Sequence, residues 1–116
     1  MAPSRLQLIL TTSDHHPRAT KKYRLLFHPE ALIEWRNLDG SVSKPLKKLL
    51  EKRLNHPHVP GSELARDLAG CYKIKLRKQG VRLVYVADDT ALTLTVVAVG
   101  KREDGRVYRF AATRSR

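Results

Sequence analysis

Cationic side chains concentrate in residues 71–85, in a pattern that could bind and cleave a phosphodiester. Successive side chains of a strand face opposite sides, so Lys73 and Lys75 share one face of a first strand. Arg82 joins them from a second strand if a turn lies between the two. Like charges paired across a sheet are destabilising. Three cations on one patch therefore favour an anion-binding site, although a solvated strand face would show the same composition.

Such a patch suits the cleavage of RNA without a metal ion. The nucleophile is the 2′-hydroxyl of the RNA itself, so the protein supplies orientation, charge stabilisation and proton transfer. Crowded cations lower the pKa of a lysine, which would let one of these lysines act as a base near neutral pH.

Three residues outside this stretch are expected near the same face. Arg66 lies shortly before it. Strict alternation along the last strand would send Arg102 to the core side, which is unfavourable for a charge. A bulge or bend at Gly100 would instead bring Arg102 beside Arg82. Tyr108 would either stack on a nucleobase or pack at the edge of the sheet.

The alternation of polar and apolar residues in this stretch predicts a β-hairpin and its register. A turn centred on Lys78 and Gln79 places every large apolar side chain on one face. The resulting cross-strand pairs are Lys75 with Arg82, Ile74 with Leu83, and Leu76 with Val81. A slip by one residue would mix the polar and apolar sets, so the pattern favours this register.

Two helices are predicted before the hairpin. The first begins at Pro29, whose missing N–H costs nothing at that position, and ends at residues 39–40. The second has Ser41 or Ser43 as its cap and Pro45 in its first turn.

The polar face of the second helix carries a basic run, Lys44, Lys47, Lys48, Lys52 and Arg53. This run is either an ordinary solvated face or a contact surface for a large polyanion. We take Lys47, Lys48 and Lys52, together with Arg66, as the candidate RNA contacts.

The predicted element order is β-α-α-β-β-β with a short C-terminal helical tail. It indicates an α+β fold with a small antiparallel sheet and both N-terminal helices on one face. The first strand is expected at residues 22–27, and the apolar segment 91–100 is expected to be a central strand. Residues 1–20 are predicted to be a flexible extension, and residues 21–116 a single domain.

The composition narrows the class of function. The chain has 116 residues, a net charge of +12 and one Cys. So basic a small domain is typical of a partner of nucleic acid or another polyanion. A single Cys excludes an internal disulfide, and no apolar run is long enough to span a membrane. These features predict a cytoplasmic protein. The sequence shows no cluster of metal ligands and no Gly-rich phosphate loop, so no metal site and no cofactor is expected. All five His precede residue 60, so a His-based nuclease site is not expected either.

Three segments together carry a resemblance to a known family. They are HPEALIEWRNL, CYKIKLRKQGVRLVY and VAVGKREDGRVY. Over residues 23–110 the sequence closely resembles the RelE family of bacterial toxins, in the RelE/ParE superfamily of type II toxin–antitoxin systems. The resemblance implies a ribosome-dependent endoribonuclease that cuts mRNA in the ribosomal A site and is inhibited by a cognate, RelB-like antitoxin. It also implies a fold similar to the small microbial ribonucleases.

The resemblance also implies a role for each site residue. Lys75 would be the general base, and Lys73 and Arg82 would hold the phosphate and stabilise its developing charge. Arg102 would assist the leaving 5′-oxygen, and Tyr108 would stack on a substrate base. A supporting nucleotide contact would fall to the arginine at position 66.

Two other classes of function remain open from the sequence. One is a non-catalytic relative that poisons DNA gyrase by protein contact. The other is a basic RNA-binding module, whose binding would weaken steadily with salt and which would cleave nothing.

Overall fold

The computed structural model describes residues 22–103 and 105–115. The elements in chain order are β1 (Arg24–Phe27), α1 (Pro29–Arg36), α2 (Gly40–Arg53), a 3-10 turn (Arg66–Leu68), β2 (Cys71–Leu76), β3 (Val81–Asp88), β4 (Thr93–Lys101) and α3 (Arg106–Arg114). This order confirms the predicted β-α-α-β-β-β sequence of elements and the helical tail. The predicted extension at residues 1–20 lies outside the described residues.

The four described strands form one sheet in the order β1-β4-β3-β2. β2, β3 and β4 are antiparallel neighbours, whereas β1 pairs with β4 in parallel. The α+β class is confirmed, and β4 is internal as predicted. The sheet is mixed rather than wholly antiparallel, because the chain passes through both helices and the β2–β3 hairpin before it returns beside β1.

The hairpin has the predicted register, and all three expected cross-strand pairs are present. Its turn is closed by a hydrogen bond from the Gly80 N–H to the Arg77 carbonyl, 3.1 Å long. Gly80 has a φ of +66°, a conformation that glycine adopts without the penalty imposed by a Cβ atom.

The bulge predicted in the last strand is present, but not at Gly100. The register between β3 and β4 shifts between Val84 and Tyr85, so Val97 is the extra residue. This shift reverses the alternation beyond Val97 and sends Arg102 to the polar side. Arg102 therefore lies on the predicted side of the sheet, but the bulge that places it there is at Val97 and not at Gly100.

One hydrophobic core lies between the sheet and the two N-terminal helices. Both helices contribute to it, as predicted, through Ala31 of α1 and through Leu46 and Leu50 of α2. The buried strand residues of this core are Ile74, Val81, Leu83, Tyr85, Leu94, Val96 and Val99. Leu92, in the apolar segment predicted as a central strand, is 41% exposed and precedes β4.

A second core lies on the opposite face, where α3 packs across the sheet. Its buried residues are Cys71, Val84, Val97, Ala98, Val107 and Ala111. Because Val84 and Leu83 are neighbours in β3, the two cores occupy opposite faces of the sheet. The sheet is thus covered by α1 and α2 on one side and by α3 on the other.

The helix boundaries differ in part from those predicted. Pro29 begins α1 as expected, and His28 caps it by accepting from the Glu30 N–H. The cap of α2 is Asp39 rather than either serine, because its carboxylate accepts from the Ser41 N–H at 3.0 Å. The helix consequently starts at Gly40, and Pro45 falls in its second turn.

β1 is shorter than predicted because its first two expected residues bond elsewhere. The Lys22 N–H donates to the Asn55 side chain, and the Tyr23 N–H donates to the Leu54 carbonyl. These bonds attach the start of β1 to the end of α2. Within the described part of the chain, no helix is long and apolar enough to cross a membrane.

Candidate active site

The β2–β3 hairpin brings together Lys73, Lys75 and Arg82, which we call the cationic face. Lys75 lies directly opposite Arg82, and Lys73 lies opposite Val84. These three residues alternate with the core residues Ile74 and Leu83, so they share the side of the sheet that α3 covers. The predicted grouping of the three cations is therefore present.

The environment of Lys75 lowers the pKa of its ammonium group below the ordinary value. The largest cause is the charge of Lys73, followed by the charge of Arg77, by partial desolvation and by the charge of Arg82. A lower pKa increases the fraction of neutral amine at a given pH, which a general base requires. Arg77 was not among the site residues predicted from the sequence.

Arg82 is half-buried, and one nitrogen of its guanidinium is fixed to the hairpin itself. Nη1 donates to the Val81 carbonyl at 3.1 Å. A guanidinium has five N–H donors in a planar fork, so this bond orients the group while other donors can meet an anion.

Arg102 lies beside the hairpin turn. Its backbone N–H donates to the Gly80 carbonyl at 2.9 Å. Its Nε lies 3.7 Å from the position that a Cβ atom at residue 80 would occupy. The bulge in β4 and the glycine in the turn together place this guanidinium at the end of the hairpin that carries Arg82.

Tyr108 lies on α3 and is half-buried against the second core. The neighbouring Val107 packs closely on β4. Its Cγ2 atom lies 3.3 Å from the position that a Cβ atom at residue 100 would occupy. Tyr108 is therefore held on the same side of the sheet as the cationic face. Both predicted roles, stacking on a base and packing on the sheet, are compatible with this position.

Arg66 begins the 3-10 turn, and its φ is +59°. Leu64 and Leu68 pack against the second core, so this turn lies on the side of the sheet that carries α3. The Arg66 side chain is exposed. Its position is compatible with a supporting contact to a nucleotide.

Lys47, Lys48 and Lys52, which we call the lysine patch, are all exposed on α2. α2 packs on the first core, on the side of the sheet opposite to the cationic face. The lysine patch therefore cannot act in the same pocket as Lys75. Any contact it makes is with a more distant part of a large partner.

Arg53, placed by its sequence pattern in that basic run, has a different role. It is half-buried, and its Nη1 donates to the Tyr85 hydroxyl at 2.9 Å and to the Lys73 carbonyl at 3.3 Å. Arg53 thus ties the end of α2 to the strand that carries two of the cations. The composition of the run could not distinguish this buried contact from a solvated side chain.

Histidines of the described residues lie away from the cationic face. His58 interacts through Nδ1 with the Tyr72 hydroxyl and through Nε2 with Asp89, both at 2.7 Å, at the opposite end of β3 from Arg82. Among residues 22–103 and 105–115, no three His, Cys, Asp or Glu side chains converge on a common point. The cationic face therefore offers amines and a guanidinium group, which can bind an anion and stabilise negative charge.

Known proteins with this fold were found by sequence and by structure. The mRNA interferase toxin RelE of Escherichia coli strain K12 is 45% identical over 92 residues, which are 79% of this chain and 96% of that protein. A mutant of the E. coli toxin RelE in the free state superposes with a TM-score of 0.73 at 43% identity, covering 80% of this chain and 97% of that chain. The RelE chain of the intact E. coli RelBE toxin–antitoxin complex gives a TM-score of 0.65 at 44% identity, covering 68% of this chain and 95% of that chain. No protein-family model matches the sequence.

Proposed function

This chain belongs to the RelE family of toxins, and we propose that it is the toxin of a toxin–antitoxin pair that cuts mRNA in the A site of the ribosome. The name of the K12 relative, mRNA interferase, supports RNA as the substrate. A protein that acts on translating ribosomes works in the cytoplasm, and this location is part of the proposal.

The observation that carries the proposal is the convergence of Lys73, Lys75 and Arg82 on one sheet face, with the pKa of Lys75 lowered by its neighbours. Lys75 in its neutral form accepts the proton of the RNA 2′-hydroxyl. The 2′-oxygen then forms a bond to phosphorus as the bond from phosphorus to the 5′-oxygen breaks. The products are a 2′,3′-cyclic phosphate, or the 3′-phosphate after water opens the ring, and a 5′-hydroxyl, whose oxygen takes its proton from water.

The other residues of the site stabilise charge and hold the substrate. Lys73 and Arg82 bind the nonbridging phosphate oxygens, where negative charge increases in the transition state. Arg102, at the end of the hairpin, stabilises the leaving 5′-oxygen, because an arginine is a poor proton donor. Tyr108 stacks on a substrate base, and Arg66 contacts an adjacent nucleotide.

Dependence on the ribosome follows from the chemistry of this site. Amines and guanidinium groups stabilise charge well, but they do not by themselves orient a flexible single strand for in-line attack. An mRNA held in the A site is already oriented. The lysine patch lies on the far side of the sheet, where it would contact the ribosomal RNA backbone and dock the toxin.

The proposed inhibitor is a RelB-like antitoxin. Relatives of this chain have been solved as RelE bound to RelB. With a net charge of +12, this chain would attract an acidic or amphipathic partner that covers its basic surface. Occlusion of the cationic face would prevent mRNA from reaching Lys75.

The test is primer extension on an mRNA in translating ribosomes, with the wild type and Lys75→Ala side by side and a control without ribosomes. We expect cuts within codons that need both the ribosome and Lys75, while ribosome binding survives the substitution. Equal loss of cleavage and binding would contradict the role of Lys75 as a base. Binding of RNA without any cuts, or arrest of replication instead of translation, would favour the RNA-binding or gyrase alternatives.

A further inference from the structure

Glu34 makes contacts that connect three elements, although it lies outside the cationic face. It projects from α1 and is bound by Arg114 of α3 in a bidentate ion pair, with Nη1 to Oε1 and Nη2 to Oε2 both at 2.9 Å. Oε1 also accepts from the backbone N–H of Val99 in β4, at 3.2 Å. One carboxylate therefore joins α1, α3 and β4.

The contacts to β4 lie at its bulge and two residues beyond it. A bulge interrupts the regular hydrogen bonding between neighbouring strands, and here the extra residue is Val97. The Val97 carbonyl accepts from Arg114 at 3.0 Å, and the Val99 N–H donates to Glu34. The ion pair thus supplies polar partners at the point where the strand alternation reverses, and this reversal directs Arg102 to the polar side.

The contacts to α3 lie in its last turn. Arg114 pairs with Glu34 and lies over the ring of Phe110, 4.6 Å from the ring centre. The side chains of Arg114 and Glu34 are only 10% and 24% exposed. A pair so little exposed to water is costly to break, because either partner alone would be left as an uncompensated charge. The pair therefore fixes the end of the helix that carries Tyr108.

We propose that Glu34 is a positioning residue for the proposed nuclease site, acting on Arg102 through the β4 bulge and on Tyr108 through Arg114. Neither member of the pair touches the reacting atoms. The inference rests on the proposed function, since it assigns Glu34 to the control of two residues of the proposed nuclease site.

Cys71 provides a readout of the position of α3 that does not depend on cleavage. It is 1% exposed in the second core, beneath α3, and near Ser115 at the end of that helix. A helix end that lifts from the sheet would expose this thiol. The rate of its reaction with an aromatic disulfide reagent therefore measures how firmly α3 is held.

The experiment compares wild type with Glu34→Ala, Glu34→Gln, Arg114→Ala and the double variant, and uses Leu46→Val as a control. Leu46 is fully buried in the first core on α2, so this change destabilises the fold without touching the ion pair. Glu34→Gln retains an oxygen that can accept from Val99 while it removes the charge that holds Arg114. It also serves if Glu34→Ala does not fold.

We expect Glu34→Ala and Arg114→Ala to raise the reactivity of Cys71 at least 10-fold, and Leu46→Val to raise it much less. The maximal single-turnover cleavage rate on ribosomes should fall about 10- to 100-fold in Glu34→Ala, as small misplacements of reacting groups typically do. The toxin concentration that gives half this rate should stay within about threefold. The double variant should be no slower than Glu34→Ala, because both single changes break the same pair.

Three results would overturn the inference. Cys71 reactivity equal to wild type in both single variants would show that the pair does not hold α3, whether or not the wild type cuts mRNA. Raised reactivity with an unchanged cleavage rate, or an equal loss of rate in Leu46→Val, would show that the pair has only a structural role. A wild type that never cuts mRNA would instead refute the proposed function.

Discussion

Replacing Tyr85 with Phe tests how the hairpin is held against α2. Tyr85 is fully buried, and its hydroxyl donates to the Pro57 carbonyl at 2.6 Å and accepts from Arg53 Nη1 at 2.9 Å. Burial is the main cause that raises the pKa of Tyr85, so the hydroxyl is protonated and acts as a donor. The change to Phe keeps the ring and removes only these two bonds.

Most of the expected loss of stability comes from the Pro57 carbonyl, because Pro57 is buried. Leaving a buried acceptor without a partner costs about 1–3 kcal/mol. Arg53 is half-buried and retains the Lys73 carbonyl as a partner, so its contribution is smaller. We therefore expect Tyr85→Phe to lower the free energy of unfolding by about 2 kcal/mol, which is roughly 30-fold in the equilibrium constant.

The assay is urea unfolding, followed by circular dichroism and by the fluorescence of Trp35. In thermal unfolding, the same loss of about 2 kcal/mol would appear as a decrease in Tm of roughly 8–16 °C for a domain of this size. The matched control is Tyr72→Phe, whose hydroxyl bonds to His58, a side chain that is 44% exposed. Water can replace that bond, so the control should lose less than about 1 kcal/mol.

A loss below about 0.5 kcal/mol in Tyr85→Phe would contradict the role assigned to its buried hydroxyl, as would an equal loss in the two variants. The first result would mean that the Pro57 carbonyl finds another partner. The second would mean that the loss does not depend on whether the hydroxyl's partner is buried, as the Pro57 carbonyl is, or exposed to water, as His58 is.

Three further predictions concern pH and charge. Arg77→Met removes the charge that, after that of Lys73, lowers the pKa of Lys75 most. The rising limb of the pH–rate profile should therefore move to higher pH with the same plateau. An unmoved limb would contradict the role of Lys75 as the base. The hydrogen bonds from His58 and Tyr23 lower the pKa of Asp89, so its contribution to stability is present above its unfolded pKa of about 3.9 and is lost as pH falls further. Urea unfolding should therefore show Asp89→Asn less stable than wild type near pH 7 and equal to it at low pH, whereas a constant difference would exclude this ionisation as the cause. Charge reversal of the lysine patch should weaken ribosome association and leave Cys71 reactivity unchanged in a pelleting assay paired with thiol labelling; unchanged association would make the patch an ordinary solvated surface. The reversed residues are Lys47, Lys48 and Lys52.

The hairpin could be predicted from the sequence because its information is local. Alternation over residues 71–85 fixes which side chains share a face, and a slip by one residue would mix the apolar set with the cations. The three predicted pairs and the grouping of Lys73, Lys75 and Arg82 follow directly and are present in the structure. The placement of the cationic face therefore needed no knowledge of distant residues.

The bulge could be anticipated but not located. The sequence indicated that a charged residue at position 102 could not point into the core, so the alternation had to be interrupted somewhere in β4. Glycine is the usual signal for such an interruption, and it pointed to Gly100. The structure uses Val97 instead, where Arg114, far along the chain, supplies the polar partner for its carbonyl.

Residues whose partners lie far along the chain were also missed, because a local pattern does not show such partners. Glu34 and Arg114 are 80 positions apart, and Arg53 is 32 positions from Tyr85. Each of these charged residues lies in a helix that carries other charged residues, so nothing in the sequence distinguishes it from a solvated side chain. The cap of α2 was misplaced in a local way, since Asp39 and both serines are all good N-cap residues.

In the proposed mechanism, the cationic face directs attack by the RNA 2′-hydroxyl. The most direct test is single-turnover cleavage, in ribosome complexes, of an mRNA with one 2′-deoxynucleotide on the 5′ side of the scissile bond. We expect that cleavage at this bond is abolished, that the all-ribose mRNA yields a 2′,3′-cyclic phosphate, and that toxin binding is unchanged. Cleavage of the deoxy-substituted bond at the wild-type rate would contradict this mechanism, because another nucleophile would then have to act.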